Sequence, residues 1–151
     1  MIYCIVFDWK RTLYNPDDKT LIDGGLDLLE LLKKSKIPLV LIGKGNSDMY
    51  LEVERLGVKD FFQDVIFHEG EKDSNLFMTY LAIDTKETLF IGDRVRSELE
   101  IGNKLGTTTI WVRQGKFAKE DPLSDSQKPT FVVNSLVELK EFLQNNFLQF
   151  G

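Results

Sequence analysis

Short, unbroken apolar runs alternate along the chain with longer segments of helical spacing. Residues 2–7, Ile-Tyr-Cys-Ile-Val-Phe, are continuously apolar and rich in strand formers. Such a run fits a strand buried on both faces, as in a parallel sheet. Further strands are expected at 38–42, 88–91 and 108–112, with 64–67 a short third strand and 131–133 a short edge strand. Leu26, Leu28, Leu29, Leu31 and Leu32 mark a first helix that closes on Lys33, Lys34 and Lys36, where cations suit the helix dipole. A second helix is expected over 48–56, stopped by Gly57, with Phe61 and Phe62 anchoring the turn below it. A third runs from a cap at Asp73 or Ser74 to near Ile83, and a fourth over about 96–105 up to Gly106. Ser135-Leu136-Val137-Glu138 has the spacing of a capping box and opens the last helix. Residues 15–19 read as a loop, and 114–130 as the most mobile stretch. Strand–helix alternation of this kind predicts an α/β fold: a three-layer α/β/α, Rossmann-like parallel sheet with helices on both faces. In such sheets, ligands bind where strands end and the strand order reverses.

Composition narrows this picture. With 151 residues, 42% hydrophobic and 28% charged, the chain is expected to be one soluble globular domain over 1–151. A net charge of −5 argues against a broad surface that tracks nucleic acid, though a locally positive site for a small anion stays compatible with it. The single cysteine, Cys4, sits inside an apolar run and reads as a core residue, and no internal disulfide can form. Residues 1–7 are too short for a signal segment or a membrane span, and Asp8 ends them. A cytoplasmic location without membrane association is therefore the expectation.

Polar residues gather at three strand ends. The first carries Asp8-Trp9-Lys10-Arg11-Thr12-Leu13, the second Gly43-Lys44-Gly45-Asn46, and the fourth Gly92-Asp93-Arg94-Val95-Arg96-Ser97-Glu98; Lys72 follows the third strand. Two aspartates at the ends of buried strands repel each other and lose hydration unless something compensates. A hard divalent cation with oxygen ligands does so, and Mg²⁺ is the usual choice beside a phosphoryl group. A carboxylate held by such a cation, with a lysine at hand, can attack phosphorus.

This ordered set resembles the haloacid dehalogenase (HAD) superfamily, mostly phosphatases, over nearly the whole chain. Asp8 through Thr12-Leu13 is similar to that family's first motif, Asp-x-Asp-x-Thr-Leu. The resemblance implies Asp8 as the nucleophile that becomes an aspartyl phosphate and Lys72 as the lysine steadying it. Gly92-Asp93 with Glu98 is similar to Gly-Asp-x-x-x-x-Asp, which implies Mg²⁺ held by Asp8, Asp93, Glu98 and the backbone carbonyl of Lys10. Gly43, Lys44 and Thr12 are the implied substrate-binding positions. The segment after Thr12 is short, so the chain resembles members without a separate cap domain. Such members take macromolecular substrates or close the site with a neighbouring subunit. Partners would be a small phosphorylated substrate or a phospho-macromolecule, with a homo-oligomer as a further option.

Two departures qualify the activity. Lys10 stands where the family's acid–base aspartate is expected, and a lysine ammonium, with a reference pKa of ~10.4, is a poor base at neutral pH. General acid–base help is worth roughly 10²–10⁴-fold. Gly43 replaces the second-motif hydroxyl, with Asn46 or Ser47 as candidate substitutes. The sequence therefore supports two readings. One is a weak Mg²⁺-dependent phosphatase or phosphotransferase that favours acyl or aryl phosphates. The other is a degenerate member that binds a partner or phospho-ligand without turnover. Dehalogenation lacks room for the cap it relies on. His68, the only histidine, has no ligand-spaced neighbour, and Ser47 has no histidine partner.

Overall fold

In the computed structural model, which describes residues 1–148, the apolar runs become strands of one sheet. These are β1 (Cys4–Phe7), β4 (Leu39–Lys44), β5 (Asp64–His68), β6 (Thr88–Gly92), β7 (Thr108–Val112) and β8 (Phe131–Val133). Their order is β5-β4-β1-β6-β7-β8, and every neighbouring pair is parallel. A second, two-stranded sheet pairs β2 (Tyr14–Asn15) with β3 (Thr20–Leu21).

Period-two alternation sorts the central strands onto two faces. Ile5, Phe7, Leu39, Leu41, Leu89, Ile91, Ile110 and Val112 pack with Leu28, Leu29 and Leu32 of α1 (Gly25–Lys34), Val53 of α2 (Asp48–Arg55) and Leu139 of α5 (Leu136–Asn146). Cys4, Val6, Val40, Ile42, Phe90 and Trp111 face the other way, onto Phe77 of α3 (Asn75–Met78) and Leu99 of α4 (Glu98–Lys104). The three-layer α/β/α Rossmann-like architecture is thus present. Cys4 is buried, and burial, followed by the charge of Asp64, pushes its thiol up to about 11.

The topology places the site. The chain lays down β1, β4 and β5 in one direction, then crosses back to β6 on the opposite side of β1. Phe7 pairs with Ile91, so the strand-end residues Asp8 and Asp93 emerge side by side at the carboxyl rim, where the order reverses.

Four local expectations change. The loop expected over 15–19 is the 16–19 turn of the β2–β3 hairpin with Asn15 paired in β2, closed by bonds from the Lys19 amide to the Asn15 carbonyl and from the Asp17 amide to the Asn15 side chain. The third helix stops at Met78 rather than Ile83: the buried Thr88 hydroxyl takes the Ala82 amide at 2.9 Å, and Ile83 stands fully exposed. At α5 the Ser135 hydroxyl accepts the Glu138 amide as a capping box requires, but the Glu138 carboxylate returns to the Asn134 amide instead of that of Ser135. Residues 114–130 are held at several points, by Arg94 on Glu120, Arg96 on the Asp121 carbonyl and Asn103 on the Ser126 and Lys128 carbonyls. Among the described residues, no helix is long and apolar enough to cross a membrane.

Candidate functional site

The loop after β1 is a tight turn folded over one carbonyl. The amides of Thr12, Leu13 and Tyr14 all donate to the Trp9 carbonyl, at 3.2, 3.0 and 2.9 Å, and the Arg11 amide donates to the Tyr14 carbonyl. This winding tucks the Thr12 hydroxyl beneath two carboxylates. It lies 3.2 Å from Asp93 Oδ1 and 3.4 Å from Asp8 Oδ2. Trp111 Nε1 donates to the Asp93 backbone carbonyl at 2.9 Å and fixes the loop after β6. Lys72, on the loop after β5, reaches Asp8 Oδ1 at 2.6 Å and Glu98 Oε2 at 3.8 Å.

Asp8, Asp93 and Glu98 are all buried, and each offers an oxygen within 4.8 Å of the others. Burial, then the charge of Asp8, pushes the carboxyls of both Asp93 and Glu98 well above the ordinary carboxylate range. Burial would discharge Lys72, but the carboxylates of Asp8 and Glu98 outweigh it and raise its pKa. One ammonium thus faces three acids. Asp93 Oδ2 and Glu98 Oε1 are buried without a hydrogen-bond partner. Unpaired buried oxygens are costly, and oxygen donors of this charge and spacing suit a hard divalent cation.

Above this floor opens a cavity of about 270 Å³, lined by the four groups above and by Lys10, Arg11, Lys44, Glu71, Arg94 and Arg96 among others. On an acidic protein, the rim of the site is therefore rich in cations. Of the anticipated residues, Asp8, Lys72, Asp93 and Glu98 converge on the floor, and Lys10 and Lys44 line the opening. Thr12 is different from its anticipated role: its fully buried hydroxyl is spent on the carboxylates and does not line the cavity. Gly43 is buried at the end of β4, where a Cβ would stand 2.8 Å from the Phe67 ring and 2.9 Å from the Trp9 Cβ, so a hydroxyl-bearing residue here would force these neighbours to shift. Asn46 uses its side-chain oxygen on the Asp48 amide at the start of α2. Sequence reasoning missed Trp111 and Gln114, whose Nε2 clamps the Arg11 and Thr12 carbonyls. Neither carried a local signal, since each meets its partner only through strand pairing.

Residues 68–139 match a family model described as HAD-hydrolase-like. Over those residues the chain is similar to HAD-like hydrolases, and its fold is HAD-like. It is 30% identical over 98 residues to a glyceraldehyde 3-phosphate phosphatase of Methanocaldococcus jannaschii, an alignment covering 60% of this chain and 42% of that protein. A structure of an uncharacterized protein from Listeria monocytogenes serotype 4b superposes with a TM-score of 0.76 at 21% identity, covering 95% of this chain and 98% of the other. The HAD-hydrolase YfnB of Bacillus subtilis, in a structure bound to magnesium, gives a TM-score of 0.68 at 25% identity over 83% of this chain and 57% of YfnB. The HAD-like chain spans about half the length of the curated relatives it matches.

Proposed function

We propose that this HAD-like domain is a Mg²⁺-dependent phosphatase or phosphotransferase in which Asp8 is the nucleophile. The observation that carries this reading is the ion pair of 2.6 Å between Asp8 and a nearly buried Lys72, beside the two unpartnered oxygens of Asp93 and Glu98. Asp8, Asp93, Glu98 and the Lys10 carbonyl would hold the Mg²⁺, which supplies charge neutralisation for a phosphoryl group when bound. The names of the phosphatase relatives and the magnesium in YfnB support the same chemistry.

The chain's own residues divide the work. Lys72 orients Asp8 through their 2.6 Å contact, and its charge offsets the phosphoryl oxygens as Asp8 attacks phosphorus. Thr12 is a positioning residue that holds the Asp8 and Asp93 carboxyls at a fixed separation. Lys10, Lys44 and Arg11 concentrate an anionic substrate at the opening. No carboxylate stands at position 10 to protonate a leaving alkoxide. Substrates with good leaving groups, acyl or aryl phosphates, are therefore favoured over alkyl phosphates.

A second reading, phospho-ligand binding without turnover, draws on Lys10 and on the packing that keeps Gly43 free of a side chain. Turnover of acetyl phosphate and p-nitrophenyl phosphate with and without Mg²⁺, in the wild type and Asp8→Asn, separates the two. The expected result is Mg²⁺-dependent hydrolysis that falls by about 10³-fold or more in Asp8→Asn. No hydrolysis of either activated phosphate leaves the binding reading in its place.

A further inference from the structure

Beside the cavity over the carboxylates lies a second one of about 560 Å³, walled by Asn15, Pro16 and Asp17 of the hairpin and by Gln114, Gly115 and Lys116 of the segment after β7. Arg11 lines both cavities. Its backbone has a φ of 65°, in the left-handed region that favours glycine. The turn dictates this conformation: the Arg11 amide must reach the Tyr14 carbonyl while the next three amides close on the Trp9 carbonyl. Glycine would meet that demand at lower conformational cost, yet an arginine occupies the position. Lys19 and Lys36 share the left-handed backbone but stand exposed, in the hairpin turn and after the C-terminus of α1. Arg11 is instead half-buried at a junction between cavities. Its guanidinium makes no hydrogen bond or ion pair among the described residues. Arg94 and Arg96, on the same rim, are both taken up by residues 120 and 121.

We infer that Arg11 is a specificity residue: it binds a second anionic group of the substrate, carried several atoms from the phosphoryl group and directed into the hairpin cavity toward Lys116. The substrate class is thus a small phosphomonoester with a carboxylate or second phosphate on its far end. A planar guanidinium with five donors and no internal partner is suited to a carboxylate in two-point contact. Lys116 on the facing wall adds a second positive charge for the same group. A neutral tail would leave both cations unpaired.

This inference rests on the proposed phosphoryl site, and its test separates the two by measuring binding instead of turnover. In the Asp8→Asn background with Mg²⁺, affinities for 3-phosphoglycerate and glycerol 3-phosphate are compared by calorimetry; the pair differs chiefly in whether the far end is charged. The expected result is a preference of about tenfold or more for 3-phosphoglycerate, equivalent to about 1.4 kcal/mol. Arg11→Gly, which the backbone accepts, and Arg11→Gln should both collapse that ratio toward one, and Lys116→Gln should reduce it. Equal affinities in the parent, or a preference that survives Arg11→Gly, overturns the inference, as does binding of neither compound. A preference in Asp8→Asn, together with no hydrolysis of acetyl or p-nitrophenyl phosphate by the wild type, rejects the proposed turnover and keeps the subsite.

Discussion

The floor and the rim of the cleft follow different rules, although a few bonds separate them. On the floor, Asp8, Asp93, Glu98 and Lys72 are buried and depend on one another's charge. At the rim, the side chains of Lys10, Arg11 and Lys44 are reached by solvent and make no internal hydrogen bond or ion pair among the described residues. Low-dielectric surroundings make each floor charge conditional on the others, whereas a rim charge alters little but what it attracts. The floor carries the residues on which the proposed chemistry rests, and both motif departures, Lys10 and Gly43, lie outside it. The contrast separates the groups that hold the site together from those that decide what it attracts.

The floor breaks most severely at Lys72. Lys72→Met leaves three buried acids with no cation, and a loss of about 3–5 kcal/mol in urea unfolding of the metal-free protein is expected. A loss below about 1 kcal/mol, the scale of an exposed pair, would place Lys72 with the rim. The rim gains instead of breaking at Lys10. Lys10→Asp restores a carboxylate at the cavity mouth, and hydrolysis of an alkyl phosphate should rise by about 10²-fold, read from initial rates with Mg²⁺. An unchanged rate would show that position 10 does not serve proton transfer.

Gly43→Ser tests whether the missing hydroxyl is excluded by packing. The added Cβ meets Phe67 and Trp9, so a destabilisation of about 1–3 kcal/mol is expected, relieved in part by Phe67→Leu. A neutral Gly43→Ser would mean that the β4 end yields easily and that the hydroxyl is absent for another reason. The smallest expected effect is thermal. Asp93 and Glu98 carry raised pKa values, so the folded metal-free protein holds more protons than the unfolded chain above the ordinary carboxylate range. That part of the stability is fully present below the unfolded carboxylate pKa and is lost as pH rises toward neutral and beyond. Mg²⁺ needs the deprotonated carboxylates. The rise in Tm on adding it should be greater at pH 8 than at pH 5.5, by a few degrees for about 1 kcal/mol. Equal shifts would remove these carboxyls from the metal site.

Much of this was legible in the sequence because strands buried on both faces are written as continuous apolar runs, and a charge that ends such a run is conspicuous. Asp8 after Phe7 and Asp93 after Gly92 stood out for that reason, and the parallel order brought them together. What stayed hidden depends on partners distant in the chain. The third helix stops early because Thr88 captures the Ala82 amide, and nothing in 75–83 announces it. The β2–β3 hairpin pairs only two residues from each strand, too few for a periodic signal. Residues 114–130 read as mobile from composition, but Arg94, Arg96 and Asn103 hold them from the β6–α4 segment. The cations around the cleft opening come from three separate strand ends, so no local stretch shows them as a cluster.

The hydrogen bond from Trp111 to the Asp93 carbonyl has a practical consequence. The chain contains only two tryptophans, and the other, Trp9, directly follows Asp8. The Trp111 indole is bonded to the Asp93 loop, while the Trp9 ring, one residue after Asp8, stacks on Tyr14. The intrinsic emission of the unlabelled protein can therefore serve as an optical gauge of cleft loading, with Trp9→Phe and Trp111→Phe assigning the signal to one loop or the other.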